Sequence, residues 1–319
     1  MGIKPVKLLC LFYGILAYRL MVIDIKIIDT KRIKENAMLL LSRYKLWAVV
    51  KNDAYGLGLI TISSKLIKGG VKNFAVISLH EAVLLRELSN EINILLLGMI
   101  PFSDIDIIKE NRIIVSINDK SDLEKLESNV LRAVKVNCDL NRFGVSIDEA
   151  KEIDGEFYYS HLSLPNNLLA KEYLDFGINQ IGSSKLLIGE EVRVGYLLYK
   201  NAMSIIEEIV FVRNVKKGEM VGYDYIAEED MKIGILNIGY YNGLIKANQG
   251  RMVYVKGKFT PILSIAMNHC FIALTEDMKI KDEVEIVGSH ITIDDVAHYL
   301  KTSPYEVLVS FKEIERKYL

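Results

Sequence analysis

The stretch Trp47-Ala48-Val49-Val50-Lys51-Asn52-Asp53-Ala54-Tyr55-Gly56-Leu57-Gly58 decides how this chain is read. Leu46–Val50 is an apolar run too short for a helix and closed by a turn signal, so it reads as a buried strand. Lys51 stands at the strand's end, and a glycine-containing turn leads from it into a helix. Burial disfavours an ammonium and lowers its pKa, and the neutral amine can attack a carbonyl to form a Schiff base. Tyr55 is placed to bring a hydroxyl near whatever the lysine holds. Gly56 and Gly58 would let backbone approach a phosphate closely. The competing reading is a strand-end lysine that snorkels to water. The stretch alone does not choose between the two.

Working outward, Val22–Ile28 is rich in β-branched residues and reads as a strand. Asp29 or Thr30 then caps a helix through Tyr44, with Ile33, Ala37, Leu40 and Leu41 on one face. Downstream, Leu59–Lys68 is helical up to Gly69-Gly70. Strands are expected at Asn73–Ser78, Ile92–Leu97, Ile113–Ile117, Leu131–Val136 and Glu156–Ser160. Helices are expected between them, at His80–Leu88, Asp104–Glu110, Lys120–Leu126 and Ser146–Glu152. Continuous apolar strands with short connections predict a parallel sheet covered by helices. The number of units predicts an α/β fold of the (β/α)8 TIM-barrel type. Functional side chains of such a barrel belong at the C-terminal strand ends, where Lys51, Arg142, His161 and Ser183/Ser184 fall. After about Lys200 the pattern changes to short strands separated by Gly, Asn and Asp turns, with one helix at Ile293–Leu300 capped by Thr292. The expected organisation is an extension at 1–20, a barrel at 21–203 whose first strand is free to pack with the C-terminal domain, and a mostly β domain at 204–319.

Composition narrows the function. The chain has 319 residues and a formal net charge of −1, which gives no electrostatic case for nucleic acid or a charged membrane surface. Its 3 cysteines are widely spaced, and its 5 histidines form no ligand-spaced cluster. No disulfide framework and no metal are expected, and the cysteine usage fits a reducing cytoplasm. Near the N-terminus, Lys4 and Lys7 precede the apolar run Leu8–Tyr18, which is too short to span a bilayer. No small-x-small cleavage site follows. Residues 1–20 are read as an extension, an upstream start rather than a functional segment, with a weak membrane-associated or secretory segment as the alternative.

Further motifs recur in order across both halves. They are Arg142 in Asn-Arg-Phe-Gly, His161 in Ser-His-Leu, Arg193 in Val-Arg-Val-Gly and Tyr225 in Gly-Tyr-Asp-Tyr-Ile-Ala. Ile238-Gly239-Tyr240, Ala266-Met267 and Tyr305 in Pro-Tyr-Glu follow. With the Lys51 stretch they resemble the alanine racemase family, fold-type III enzymes that use pyridoxal 5′-phosphate (PLP). The resemblance runs from Met21 to Tyr318. It implies a racemase that interconverts L- and D-alanine to supply D-alanine for peptidoglycan, with PLP held as an imine on Lys51. It implies two bases, one on each face of the substrate: Lys51 for the D-enantiomer and Tyr225 for the L-enantiomer. A free tyrosine is a weak base at neutral pH, and the resemblance implies a hydrogen-bond relay through His161 and Arg193 that stabilises its phenolate. Arg193 would face the pyridine nitrogen and stay charged. Tyr55, Ser183, Tyr305 and the Gly195 backbone would bind the phosphate. Arg142 would contact the cofactor's phenolic oxygen and, with Met267 and Tyr240, the substrate. Lys135 matches a lysine that is carbamylated in some members, where it pairs with the arginine at position 142. The family pattern also implies a homodimer with shared active sites.

The sequence departs from that pattern in places. Asn242 and Asn268 stand where aspartates are expected, which removes negative charge near the substrate entrance. Gly182 stands for the usual asparagine before the phosphate serine. The intervals from His161 to Ser183 and from Ser184 to Arg193 are short, so the barrel is expected to be thin or partly open there, with a helix of little more than Asn166–Phe176. Serine or lysine as substrate, or a degenerate PLP-binding protein without turnover, are the alternatives.

Overall fold

The computed structural model describes residues 25–162, 167–178, 180–183, 187–311 and 314–319, with the backbone alone at 167–169, 181 and 183. The N-terminal extension and Ser184 lie outside them. The chain divides into two compact units, one spanning Thr30–Lys200 and the other combining the first strand with everything from Asn201 onward.

The first unit is the barrel. Its strands are β2 (Lys45–Val49), β3 (Asn73–Val76), β4 (Asn93–Leu96), β5 (Ile114–Ile117), β6 (Arg132–Lys135), β7 (Phe157–Leu162), β8 (Gln180–Ser183) and β9 (Glu191–Val194), following β1 (Ile25–Ile28) in the chain. They close into one ring in sequence order. Parallel strands covered on both faces read as continuous apolar runs, and Phe74, Ala75, Val76, Ile94, Leu95, Val115 and Val134 are accordingly buried. The expected opening on the His161–Arg193 side is not present. Strand β7 pairs with β8 over four positions and β9 with β2 over four, while β8 and β9 meet at the single pair Gln180↔Glu191. Arg193 on β9 donates to Gln180 on β8 across that seam, and Glu191 ties β9 to β2 by accepting from Trp47 Nε1 at 3.0 Å and Lys45 Nζ at 2.6 Å. Short intervals therefore thin the wall without breaking it. The outer helices include α1 (Thr30–Leu41), α2 (Leu59–Lys68), α3 (Leu79–Leu88) and α4 (Asn167–Phe176). The four-residue helix Tyr196–Tyr199 follows β9.

The second unit is a nine-stranded sheet in the order β11-β14-β17-β16-β15-β18-β10-β1-β19. Its strands are β10 (Met203–Glu208), β11 (Phe211–Val215), β14 (Met231–Leu236), β15 (Met252–Val255), β16 (Lys258–Ile265), β17 (Cys270–Leu274), β18 (Glu283–Val287) and β19 (Glu315–Tyr318). A separate hairpin joins β12 (Met220–Val221) to β13 (Tyr225–Ile226). Strand β1 pairs with β10 and β19, so the barrel unit starts at Thr30 rather than at 21. The hairpin is too short to stand out in the sequence pattern, and two further elements differ from the expectation of a single helix among apolar strands. Helix α6 (Pro304–Ser310) follows α5 (Ile293–Leu300), started by the Ser303 side chain accepting from Glu306 N and by proline in the first turn. Strand β19, Glu-Arg-Lys-Tyr, lacks an apolar signal because it lies at the sheet edge, where charge is tolerated.

Within the barrel, the buried Tyr199 hydroxyl donates to the Val49 carbonyl at 2.7 Å, and its ring lies 5.2 Å from that of Tyr55. Tyr199→Phe keeps the ring and orphans that carbonyl, so urea unfolding should show a loss of about 1–2 kcal/mol.

Candidate active site

Lys51 leaves the C-terminal end of β2, and the backbone after it is unusual. Asn52, Asp53, Ala54 and Tyr55 all have φ between 52° and 57°, and Gly56 follows at 77°. The expected turn is thus one turn of left-handed helix over 52–56; Leu57 returns to φ −98°, and Gly58 (φ 102°) then leads into α2. Left-handed geometry costs about 1–2 kcal/mol per non-glycine residue, so four in a row need specific support. Ala54 N donates to Val50 O at 2.9 Å, and Gly58 N to Asp53 O at 2.8 Å. The Asp53 carboxylate accepts from Leu59 N at 2.7 Å. Asp53 N donates to the buried Glu81 carboxylate at 3.0 Å. Asn and Asp tolerate this conformation better than most residues, whereas Ala54 and Tyr55 are held in it by burial among their neighbours.

Around the barrel mouth the charges are mostly positive. Arg193, on β9, is buried and donates to Gln180 Oε1 at 2.5 Å and to Ser160 O at 2.9 Å, with its guanidinium 4.7 Å from the centre of the Tyr159 ring. The Tyr159 hydroxyl shares a 2.6 Å hydrogen bond with Ser116, which also contacts Leu96 O. Lys135 ends β6, buried, with Nζ 5.1 Å from the Phe143 ring. Arg142 sits in the exposed loop after β6, and His161 lies on β7. Burial comes first and neighbouring cations second in setting the titration of these groups. Lys51 is lowered by desolvation, Arg142 and Arg193, against an upward pull from Glu81. Lys135 is pushed down to about 8 by burial, Arg142 and Arg193. His161 is pushed down to about 3 by burial and then by Arg193, Arg142, Lys135 and Lys51, so its imidazole is neutral at physiological pH. The mouth is built to accept anions and holds a lysine that gives up its proton more readily than usual.

Two further features bear on β8. A Cβ at Gly182 would lie 2.6 Å from Arg193 Nη2 and 2.7 Å from His161 Nδ1, so an asparagine does not fit there and glycine is not a lost hydrogen bond. An amide does reach the site from Gln180, two positions earlier on the same strand face. Its Oε1 orients Arg193, and its buried Nε2 is without a hydrogen-bond partner among the described residues. The Ser183 side chain lies outside them. Tyr55 packs beside Tyr199, whose short helix starts after Gly195, so the turn and the Gly195 segment are neighbours.

In the other unit, Tyr225 is half-buried on β13 against a cluster of Val215, Val221, Ala227, Ile233 and Leu263. Its neighbour Asp224 is fixed by Lys246 Nζ at 2.5 Å and Ser264 Oγ at 2.7 Å. The two entrance motifs are joined, since Tyr240 N donates to Ala266 O at 3.1 Å and Tyr241 N to Met267 O at 3.0 Å. Tyr240 and Met267 are exposed. Asn242 Oδ1 accepts from Gly239 N at 3.1 Å, so this amide supplies an acceptor within the turn although the charge is absent. Tyr305 is half-buried in the first turn of α6.

The family models for the N-terminal and C-terminal domains of alanine racemase match residues 28–157 and 202–318. An alanine racemase of Listeria monocytogenes is 30% identical over 86% of this chain and 90% of its own length. The chain belongs to the alanine racemase family. An alanine racemase of Borreliella burgdorferi is 28% identical over 85% of this chain and 90% of its own. Among solved structures, the alanine racemase of E. faecalis superposes with a TM-score of 0.82 at 26% identity, covering 92% of this chain and 97% of that one. The alanine racemase of Bartonella henselae with covalently bound pyridoxal phosphate shares the fold, with a TM-score of 0.82 at 22% identity over 92% and 99%. The alanine racemase family is one of isomerases, and no helix among the described residues is long and apolar enough to cross a membrane.

Reading the sequence for this family's motifs misses Glu81 and Gln180. Ser78-x-x-Glu81 is legible as a helix capping box, and Ser78 does cap α3. Nothing local shows that the same carboxylate reaches Asp53.

The titration of His161 makes a testable statement. Its folded pKa of about 3 lies below the ordinary 6.5, so between these values the unfolded chain binds a proton that the folded chain refuses. Stability should therefore fall as pH drops from about 6.5 toward 3, by at most roughly 1.4 kcal/mol per pH unit from this group. Urea unfolding across that window should show a shallower slope in His161→Asn.

Proposed function

We propose that this chain interconverts L-alanine and D-alanine with pyridoxal 5′-phosphate on Lys51, and so supplies D-alanine for peptidoglycan in the cytoplasm. The observation that carries the reading is the lysine itself: an amine of lowered pKa, on a supported left-handed turn, in a cationic barrel mouth. The mouth fits the cofactor's chemistry. Lys51, Lys135, Arg142 and Arg193 suit a phosphate and an amino-acid carboxylate. The orphaned Gln180 Nε2 is a buried donor with an unmet need. The covalent PLP of the Bartonella henselae relative supports the assignment.

When bound, PLP supplies the electron sink that acidifies the substrate's Cα–H. The chain's own residues do the rest. Arg193, a cation oriented by Gln180 and Ser160, would face the ring nitrogen and donate to it. Neutral His161 would relay hydrogen bonding from Arg193 to the tyrosine. Tyr55, Ser183, Gly195 and Tyr305 would hold the phosphate. Arg142, Met267 and Tyr240 would bound the substrate. Lys51 Nζ takes or returns the proton on one face and Tyr225 Oη on the other. Lys51 and Tyr225 belong to different units, and Met220, Tyr223 and Ile226 leave apolar surface exposed around the tyrosine hairpin. Both features support a homodimer in which each copy lends its tyrosine to the other.

The test is Cα deuterium incorporation in D₂O over a panel of amino acids that includes alanine, serine and lysine. Wild type should show an imine absorbance and exchange alanine fastest. Lys51→Ala should lose the absorbance; Tyr225→Phe should keep it and lose exchange starting from the L-enantiomer by at least about 100-fold. Absorbance without exchange of any amino acid would leave a PLP carrier and sink the racemase reading.

Lys135 adds a second proposal. A buried amine with a pKa of about 8 is about one-tenth neutral at pH 7, far more than an ordinary lysine, and the neutral form can add CO₂ with loss of a proton; the resulting carbamate anion would pair with Arg142. Crystallographic density at Lys135 should extend beyond Nζ. Density that ends at the amine in crystals grown with bicarbonate would refute it.

A further inference from the structure

We propose that Glu81 is the positioning residue for Lys51, clamping the left-handed turn to the end of β3 and setting the charge that the amine faces. The inference rests on Lys51 being the reactive amine. The geometry is that of a clamp with two jaws. Oε1 accepts from Asp53 N at 3.0 Å, inside the left-handed turn. Oε2 accepts from Ile77 N at 3.2 Å and Ser78 N at 3.3 Å, immediately after β3. The carboxylate is buried, so these three donors are what it has in place of water. It is itself fixed from behind, because its backbone N–H is capped by Ser78 Oγ at 3.3 Å in the first turn of α3.

One carboxylate supplies the acceptor to each jaw. Asp53 N sits in a turn whose own hydrogen bonds use Ala54 N, Leu57 N and Gly58 N. Glutamine cannot replace the carboxylate cleanly: its one oxygen serves one jaw, and its NH₂ faces N–H donors at the other. Two consequences reach the amine. The turn that carries Lys51 stays at positive φ because its second residue is tied to a neighbouring strand. In addition, Glu81 is the carboxylate that opposes the downward push of Arg142 and Arg193 on Lys51.

The experiment uses the full chain stripped of any carbonyl compound, so it does not depend on turnover. The pH dependence of Lys51 labelling by trinitrobenzenesulfonate is followed by peptide mass spectrometry, together with the exchange of the Asp53 amide. Glu81→Gln should raise the Lys51 labelling rate at pH 7 about threefold or more, the effect of half a unit in pKa, and speed Asp53 exchange. Ser78→Ala, which removes the cap of α3 but not the clamp, should lower the melting temperature with the labelling profile unchanged. If Glu81→Gln melts early like Ser78→Ala and leaves labelling as in wild type, Glu81 is structural only and the proposal is wrong. Should Glu81→Gln not fold, Glu81→Asp decides. It keeps the charge but is too short for both jaws, so the Asp53 amide should exchange at least about 10-fold faster; protection equal to wild type would overturn the clamp. A chain that behaves as proposed here but gains no imine absorbance with added PLP would refute the proposed function and not this inference.

Discussion

Everything at the barrel mouth depends on keeping four consecutive non-glycine residues at positive φ directly after Lys51. That conformation costs several kcal/mol in total, and no local preference of Ala54 or Tyr55 offsets it. Tertiary contacts do: a carboxylate from α3, backbone carbonyls on either side and the packing of Tyr55 on Tyr199. The turn compresses the path from β2 to α2, so the lysine stands at the strand's end instead of being carried away on the helix.

The second constraint is electrostatic. The mouth gathers Lys51, Lys135, Arg142 and Arg193 with Glu81 as the counter-charge at Lys51. Burial and the neighbouring guanidiniums lower the Lys51 and Lys135 amines and keep the His161 imidazole neutral. Arg193 tolerates burial because its donors meet oxygen from Gln180 and Ser160 and its face meets Tyr159. Gly182 belongs to the same arrangement, since any side chain there would displace the guanidinium or the imidazole.

Much of the fold was legible because its signals are local. Buried parallel strands are continuous apolar runs, and the change to short strands after Lys200 marks the second unit. The elements missed include two whose pattern is set from outside: β19, polar because it is an edge, and β9, whose Arg193 faces the site instead of a core. The barrel was expected to open where the chain is short. A single pair between β8 and β9, joined by the Arg193–Gln180 hydrogen bond, was enough to close it.

The sequence by itself determined that a lysine ends the second strand, that arginines and a histidine stand at the ends of later ones, and that a tyrosine motif follows in a β domain. Residue type and order carry that information, and strand periodicity carries it to one end of the barrel. Only the tertiary structure decided the handedness of the turn after Lys51, the reach of Glu81 to Asp53, and the pairing of Gln180 with Arg193. Each is a contact between residues far apart in the chain whose energy appears only once burial has removed water from both partners.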